Sequence, residues 1–114
     1  MHLFPVGPDT LSEHDIDETT DKDNEFHWFV YWYEVGSYDG SGEGVALHKV
    51  SGLLYYVGLG HCSCNGPIDG PLGTNATKYT PAEFFSLTAS IYELDCRNAV
   101  KDKVKELLAT KLYI

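Results

Sequence analysis

The most informative stretch of this chain is FHWFVYWY, residues 26–33. Aromatic and β-branched residues at this density favour a strand. One face of that strand would carry Phe26, Trp28, Val30 and Trp32, and the other would carry Phe29, Tyr31 and Tyr33. Because both faces are apolar, we expect this strand to lie at the centre of a sheet or to be covered on both sides.

Two further strands are predicted directly after the first one, which we place at about residues 26–34. The glycine-rich run 36–42 predicts a turn, since glycine adopts positive φ without steric cost. Strands are then expected at about 43–49 and 53–59, with a tight turn at Ser51-Gly52 between them. Together the three strands would form an antiparallel meander.

Two helices are predicted in the C-terminal third. The sequence Thr80-Pro81-Ala82-Glu83 is typical of a helix start, with a hydroxyl at the N-cap, a proline at the first helical position and a carboxylate placed to close a capping box. We expect one helix at about 81–94 and a second at about 96–112. Their apolar stripes would be Phe84, Leu87, Ile91 and Leu94 in the first, and Val100, Val104, Leu107, Leu108 and Leu112 in the second. The fold class is therefore α+β, with a helical layer packed on one face of the meander.

Length and charge limit the possible functions. The chain has 114 residues, of which 43% are apolar, so a single domain with its own core is expected. Seventeen acidic residues against eight basic ones give a net charge of −9, which disfavours direct binding to nucleic acid or to an anionic membrane. The first ten residues do not resemble a secretory signal, and an odd number of cysteines argues against a disulfide framework. A cytoplasmic location is the expectation.

The acidity is concentrated in one segment. Between residues 9 and 25 lie Asp9, Glu13, Asp15, Asp17, Glu18, Asp21, Asp23 and Glu25, with Lys22 as the only opposing charge. We interpret residues 1–25 as an acidic arm or loop that precedes a single α+β domain at 26–114. One interpretation is a solvated, mobile arm; the other is an arm that docks on a Lys/Arg surface of a partner. The last helix carries four basic residues, Arg97, Lys101, Lys103 and Lys105. They would form a solvent-exposed face or pair with the carboxylates of this arm.

Residues 60–66, GHCSCNG, are the most unusual local sequence. His61, Cys62 and Cys64 could supply ligands to a zinc ion, with His27, His48 or Cys96 completing the set. A single residue between two cysteines is a poor spacing for zinc ligands, and adjacent residues of an extended chain point to opposite faces, so His61 would not naturally activate Cys62. The alternative is that both thiols are small buried hydrophobic groups. We therefore expect no catalytic residue and no cofactor, with zinc as the alternative.

Residues 28–67 resemble a group of small bacteriophage proteins with no settled activity. In that group an aromatic strand, an S-Y-x-G-S-G turn and an H-C-S-C-x-G segment occur in the same order, as they do here at 28–33, 37–42 and 61–66. The resemblance implies a phage accessory protein that works in the bacterial host cytoplasm. It covers under half of the chain and excludes both the acidic segment and the helices.

These observations predict a protein that acts by non-covalent binding, inhibiting or modulating a host protein with a basic surface, such as a factor of anti-phage defence. The candidate binding residues are Asp15, Asp17, Glu18, Asp21, Asp23, Trp28, Trp32, Tyr38 and Asp39. Two alternatives stay open: a zinc-binding or thiol-catalytic site at the paired cysteines, and a pocket between the aromatic strand and the glycine-rich turn that sequesters a nucleotide signal. A homodimer could protect the two edges of a three-stranded sheet.

Overall fold

The computed structural model describes residues 1–11, 20–36, 40–61, 71–91 and 93–110. Its strands are β1 (His2–Pro5), β2 (Phe26–Val35), β3 (Gly40–His48), β4 (Leu54–His61) and β5 (Thr77–Tyr79). Its helices are α1 (Leu72–Asn75), α2 (Pro81–Ser86) and α3 (Leu94–Thr110). The strands form one sheet in the order β1-β2-β3-β4-β5, so the fold is a mixed α+β fold.

The three predicted strands pair as a meander. β2 with β3 and β3 with β4 are antiparallel, and β3 and β4 are joined by the predicted tight turn. In that turn Gly52 has a φ of 71° and donates its N–H to the carbonyl of His48 at 3.1 Å. A left-handed φ of this kind is the conformation that glycine adopts most readily.

The prediction of only three strands is wrong, because short strands extend both sides of the meander. β1 pairs in parallel with β2, and β5 pairs antiparallel with the first three residues of β4. Beyond β1 the chain still follows the edge of β2, where Asp9 donates its N–H to the carbonyl of Tyr33 at 3.0 Å and accepts from the N–H of Val35 at 2.8 Å. The first nine residues of the segment interpreted as an acidic arm therefore cover a sheet edge.

Part of the glycine-rich run 36–42 is a strand and not the predicted turn. Gly40 and Gly42 belong to β3 and do not form a turn. A Cβ at Gly42 would collide with the carbonyl oxygen of Trp32, and a Cβ at Gly44 would collide with the ring of Phe29. These glycines therefore make room for the close approach of β2 and its aromatic side chains.

A β-bulge changes which face of β2 each aromatic residue occupies. Phe26 pairs with His48 and Phe29 pairs with Ala46, so three steps along β2 match two steps along β3. The extra residue moves Phe26 to the face of Phe29 and Tyr31, opposite to the face predicted for it. Strict alternation fails at this single position.

Both faces of β2 are covered, as predicted for a strand without a polar side. The cluster beneath α2 and α3 contains Trp28, Val30, Val45, Leu47, Leu54, Phe84, Val100, Val104 and Leu107. The cluster on the opposite face contains Leu11, Phe26, Phe29, Tyr31, Tyr33, Ala46, Tyr55, Leu59 and Leu72. The two predicted helices, α2 and α3, pack on one face of the sheet as expected, whereas the short α1 places Leu72 in the cluster on the opposite face.

The first predicted helix, 81–94, is wrong in length. Its capping box is confirmed, since the N–H of Glu83 donates to Thr80 Oγ1 and the N–H of Thr80 donates to Glu83 Oε1. However, α2 ends at Ser86, whose hydroxyl donates to the carbonyl of Glu83 at 2.8 Å. Lys101 of α3 donates its ammonium hydrogens to the carbonyls of Phe85 and Leu87. Carbonyl groups that lack a partner within α2 at its C-terminal end therefore accept hydrogen bonds from another helix.

The early end of α2 changes the two predicted apolar stripes. Ile91 and Leu94 are 82% and 45% exposed and do not continue the stripe that begins with the buried Phe84. The second helix starts two residues earlier than predicted and buries Val100, Val104 and Leu107 as predicted. The predicted end at residue 112 lies outside the described residues.

The close contact at Gly44 gives a stability prediction. We expect Gly44→Ala to lower the free energy of unfolding by about 1–3 kcal/mol, because the Phe29 ring must shift within a packed core. The measurement is denaturant unfolding of both this variant and Gly58→Ala, the matched control in β4. A Cβ at Gly58 meets nothing within 4 Å. A Gly44→Ala variant as stable as the control would contradict the packing described here.

Candidate functional site

A buried ion pair connects α3 to the centre of the sheet. Arg97 Nε donates to Glu43 Oε2 at 2.6 Å, and the two residues are only 7% and 4% exposed. The other guanidinium nitrogens donate to the hydroxyl of Tyr56 and to the carbonyl of Thr88, each at 3.3 Å. The guanidinium also lies over the Tyr56 ring, 5.3 Å from its centroid. Two charges that would be costly to bury alone are thus neutralised and hydrogen-bonded together.

The neighbouring groups are held in their protonated forms. Burial raises the pKa of the Cys96 thiol to about 12, and the Glu43 carboxylate adds to that shift by its charge and by a hydrogen bond. Burial and Glu43 also raise the pKa of Tyr56. Burial alone would lower the pKa of Arg97, but the hydrogen bond and charge of Glu43 outweigh it and the pKa is raised. Cys96 is therefore a neutral thiol and a poor nucleophile at neutral pH.

A pocket of about 190 Å³ opens beside this ion pair. β2 contributes Trp32 and Glu34 to its wall, β3 contributes Glu43 and β4 contributes Tyr56. Glu93, which directly precedes α3, and Cys96 in the first turn of α3 complete the wall described here. Glu34 and Glu93 are exposed, and within the described ranges neither forms an ion pair. Arg97 is the guanidinium that offsets Glu43, so the pocket keeps an excess of negative charge beside an aromatic wall.

Two of the predicted binding residues differ sharply in accessibility. Trp28 has no exposed surface and belongs to the core cluster beneath α3. Trp32 is half-buried and lines the pocket. Only the second tryptophan can therefore contact a ligand or a partner in this structure.

Two of the candidate binding residues in the N-terminal segment are described. Asp21 closes a turn, accepting the N–H of Glu25 on Oδ1 at 2.7 Å, and its Oδ2 lies 3.4 Å from the amino group of Met1. Asp23 is exposed. The structure therefore gives Asp21 a local structural role and leaves Asp23 open to solvent.

The remaining predicted site residues lie outside the described residues: Asp15, Asp17, Glu18, Tyr38, Asp39, Cys62 and Cys64, together with the side chain of His61. Among the residues that the structure describes, no group of three or more His, Cys, Asp or Glu side chains is arranged to hold a metal ion. A zinc site at the paired cysteines stays a prediction.

Two of the four basic residues in α3 bind groups inside the protein, and Lys105 is exposed to solvent. Arg97 pairs with Glu43 and Lys101 binds carbonyls at the end of α2. Lys103 forms the exposed contact, with Glu106 at 3.2 Å. In the part of the chain that the structure describes, the ion pairs of these residues go to β3 and α3 and not to the acidic segment.

Glu43 and Arg97 were not among the predicted site residues, although a sequence pattern indicates that they are buried together. Glu43 lies on the same face of its strand as Val45 and Leu47, and Arg97 lies on the same helical stripe as Val100 and Val104. A single acid on one apolar face and a single base on another indicate a buried pair, because each charge would be costly to bury alone.

Comparisons of the chain with protein families, curated proteins and solved structures give no match. None of the helices within the described ranges is long and apolar enough to cross a membrane. The chemistry of the pocket is the feature that indicates a function.

Removal of one member of the ion pair gives the second stability prediction. We expect Arg97→Met to lower the free energy of unfolding by about 3–5 kcal/mol, because the Glu43 carboxylate is left buried without a partner. The double variant Glu43→Met/Arg97→Met removes both charges and should recover most of that loss. Denaturant unfolding measures both variants. A double variant as unstable as Arg97→Met would contradict the ion-pair explanation.

Proposed function

We propose that this protein acts by non-covalent binding to a basic surface of a partner protein, and that the face around the pocket is its binding surface. The observation that carries the proposal is the pair of exposed carboxylates, Glu34 and Glu93, on the wall of a pocket that Trp32 also lines. Aromatic and charged groups that converge on a concave surface are typical of interface anchors.

Exposed apolar side chains lie close to Glu93 in the chain. Ile91 and Leu94 are within two residues of Glu93 and are 82% and 45% exposed. Burial of such groups against a partner would contribute favourable free energy that does not depend on charge. The combination supports a protein partner over a small dissolved cation.

The charge of the whole protein supports the same class of partner. A net charge of −9 attracts basic surfaces at long range and increases the rate of encounter at low salt. The buried Arg97 does not reverse the sign of the pocket, because Glu43 neutralises it. Long-range attraction and local recognition therefore favour the same sign of partner charge.

The resemblance of residues 28–67 to phage proteins extends the proposal. The partner would be a protein of the bacterial host cytoplasm, and binding would inhibit or modulate it, as for a factor of anti-phage defence. Asp15, Asp17 and Glu18 would add contacts to the same basic partner. A nucleotide-sequestering role finds no support in this pocket, since its carboxylates would repel phosphate groups.

The proposal is tested by affinity capture from bacterial lysate with charge-reversed variants. Glu34→Lys/Glu93→Lys changes the pocket, and Asp102→Lys/Glu106→Lys, on the exposed side of α3, gives the same change of net charge. We expect captured proteins to be lost with the pocket variant and kept with the control. A captured protein is then purified, and its affinity should fall about tenfold or more for the pocket variant, since charge repulsion replaces attraction.

Equal affinity of the purified partner for both variants would contradict the assignment of the binding surface. Substitution is preferable to deletion of the acidic segment, because Asp9 holds the edge of β2 and Asp21 closes a turn. A third variant, Asp15→Asn/Asp17→Asn/Glu18→Asn, measures the contribution of the acidic segment separately.

A further inference from the structure

We infer that the pocket receives the side chain of an arginine residue of the partner, an inference that rests on the proposed function and names the group recognised. The juxtaposition that supports it is an indole, Trp32, and two exposed carboxylates, Glu34 and Glu93, around one concave site. A guanidinium group can stack on an aromatic face and donate hydrogen bonds to carboxylates at the same time.

The protein already uses this chemistry on the inner side of the pocket. Arg97 donates to the Glu43 carboxylate and lies over the ring of Tyr56. Tyr56 and Glu43 also line the pocket, so one carboxylate and one aromatic ring are occupied by an internal guanidinium. Trp32, Glu34 and Glu93 provide the same two kinds of group on the side that solvent reaches.

The net negative charge of the pocket disfavours anionic ligands. Three carboxylates are offset by one guanidinium, and the raised pKa of Cys96 keeps its thiol neutral. A phosphate or a carboxylate ligand would meet net repulsion in this site, whereas a cation would meet attraction. The ligand chemistry is therefore cationic.

The size of the pocket favours one side chain. Its volume of about 190 Å³ is smaller than the roughly 300–1,000 Å³ of pockets that enclose drug-sized ligands. Among cationic side chains, arginine suits the site better than lysine because its planar group is more weakly hydrated, stacks on aromatic rings and offers several donors. The exposed Ile91 and Leu94, within two residues of Glu93, would contact the residues of the partner that flank the arginine.

The inference is tested by titrating the isotope-labelled protein with N-acetyl-arginine amide and following its backbone and indole N–H signals by NMR. We expect saturable shifts of the Trp32 indole and of the Glu34 and Glu93 amides, with the weak affinity typical of a single side chain. N-acetyl-citrulline amide has nearly the same shape without the charge and should cause no saturable shift. The indole of Trp28 should stay unchanged, because this side chain is buried.

A neutral variant of the pocket completes the test. In Glu34→Gln/Glu93→Gln we expect the affinity for N-acetyl-arginine amide to fall about five- to tenfold, because two exposed ion pairs are lost. The control Asp102→Asn/Glu106→Asn makes the same change of net charge on the exposed side of α3 and should bind as the unsubstituted protein does. An unchanged Trp28 signal shows that each variant is folded.

The outcomes separate this inference from the proposed function. No saturable shift with the arginine amide, or equal shifts with the citrulline amide, overturns the arginine pocket even if the lysate partner still depends on Glu34 and Glu93. Arginine binding together with partner binding that ignores both residues overturns the proposed function. Arginine-specific shifts that require the two carboxylates support the inference.

Discussion

The buried ion pair between Glu43 and Arg97 is the contact on which the arrangement of the pocket depends. It connects the middle of β3 to the first turns of α3 and places Glu93 and Cys96 opposite Trp32 and Tyr56. Removing two charges from water costs free energy. Here the attraction between the charges and the hydrogen bonds of Arg97 to Glu43, Tyr56 and Thr88 offset that cost. This pair, together with the burial of Val100, Val104 and Leu107, holds α3 against the sheet.

The same contact determines the electrostatic character of the surface. Because Arg97 is neutralised inside the protein, the outer wall of the pocket keeps the charges of Glu34 and Glu93. Without Glu43, the charge of Arg97 would offset one of these two carboxylates and weaken the attraction for cations. The pair therefore acts both as a structural link between sheet and helix and as a reason why the surface favours cations.

Local patterns in the sequence predicted the central part of the fold well. The aromatic run of β2, the turn at Gly52 and the capping box at Thr80 depend on neighbouring residues, so they can be recognised from a short window. β1 could not be predicted in this way, because it is four residues long and pairs in parallel with a strand more than twenty residues away. The end of α2 depends on Lys101, which approaches from another helix. The pocket was only half predictable: Trp32 was a candidate, whereas the roles of Glu34 and Glu93 follow from tertiary packing.

The most direct test of this account is the NMR signal of the Arg97 Nε–H, measured with and without Glu43. A buried ion pair predicts a signal that exchanges slowly with water and loses its protection in Glu43→Gln, while the corresponding signals of other folded regions stay unchanged. A rapidly exchanging Nε–H in the unsubstituted protein, like that of an arginine in free solution, would contradict the claim that this pair holds α3 against the sheet.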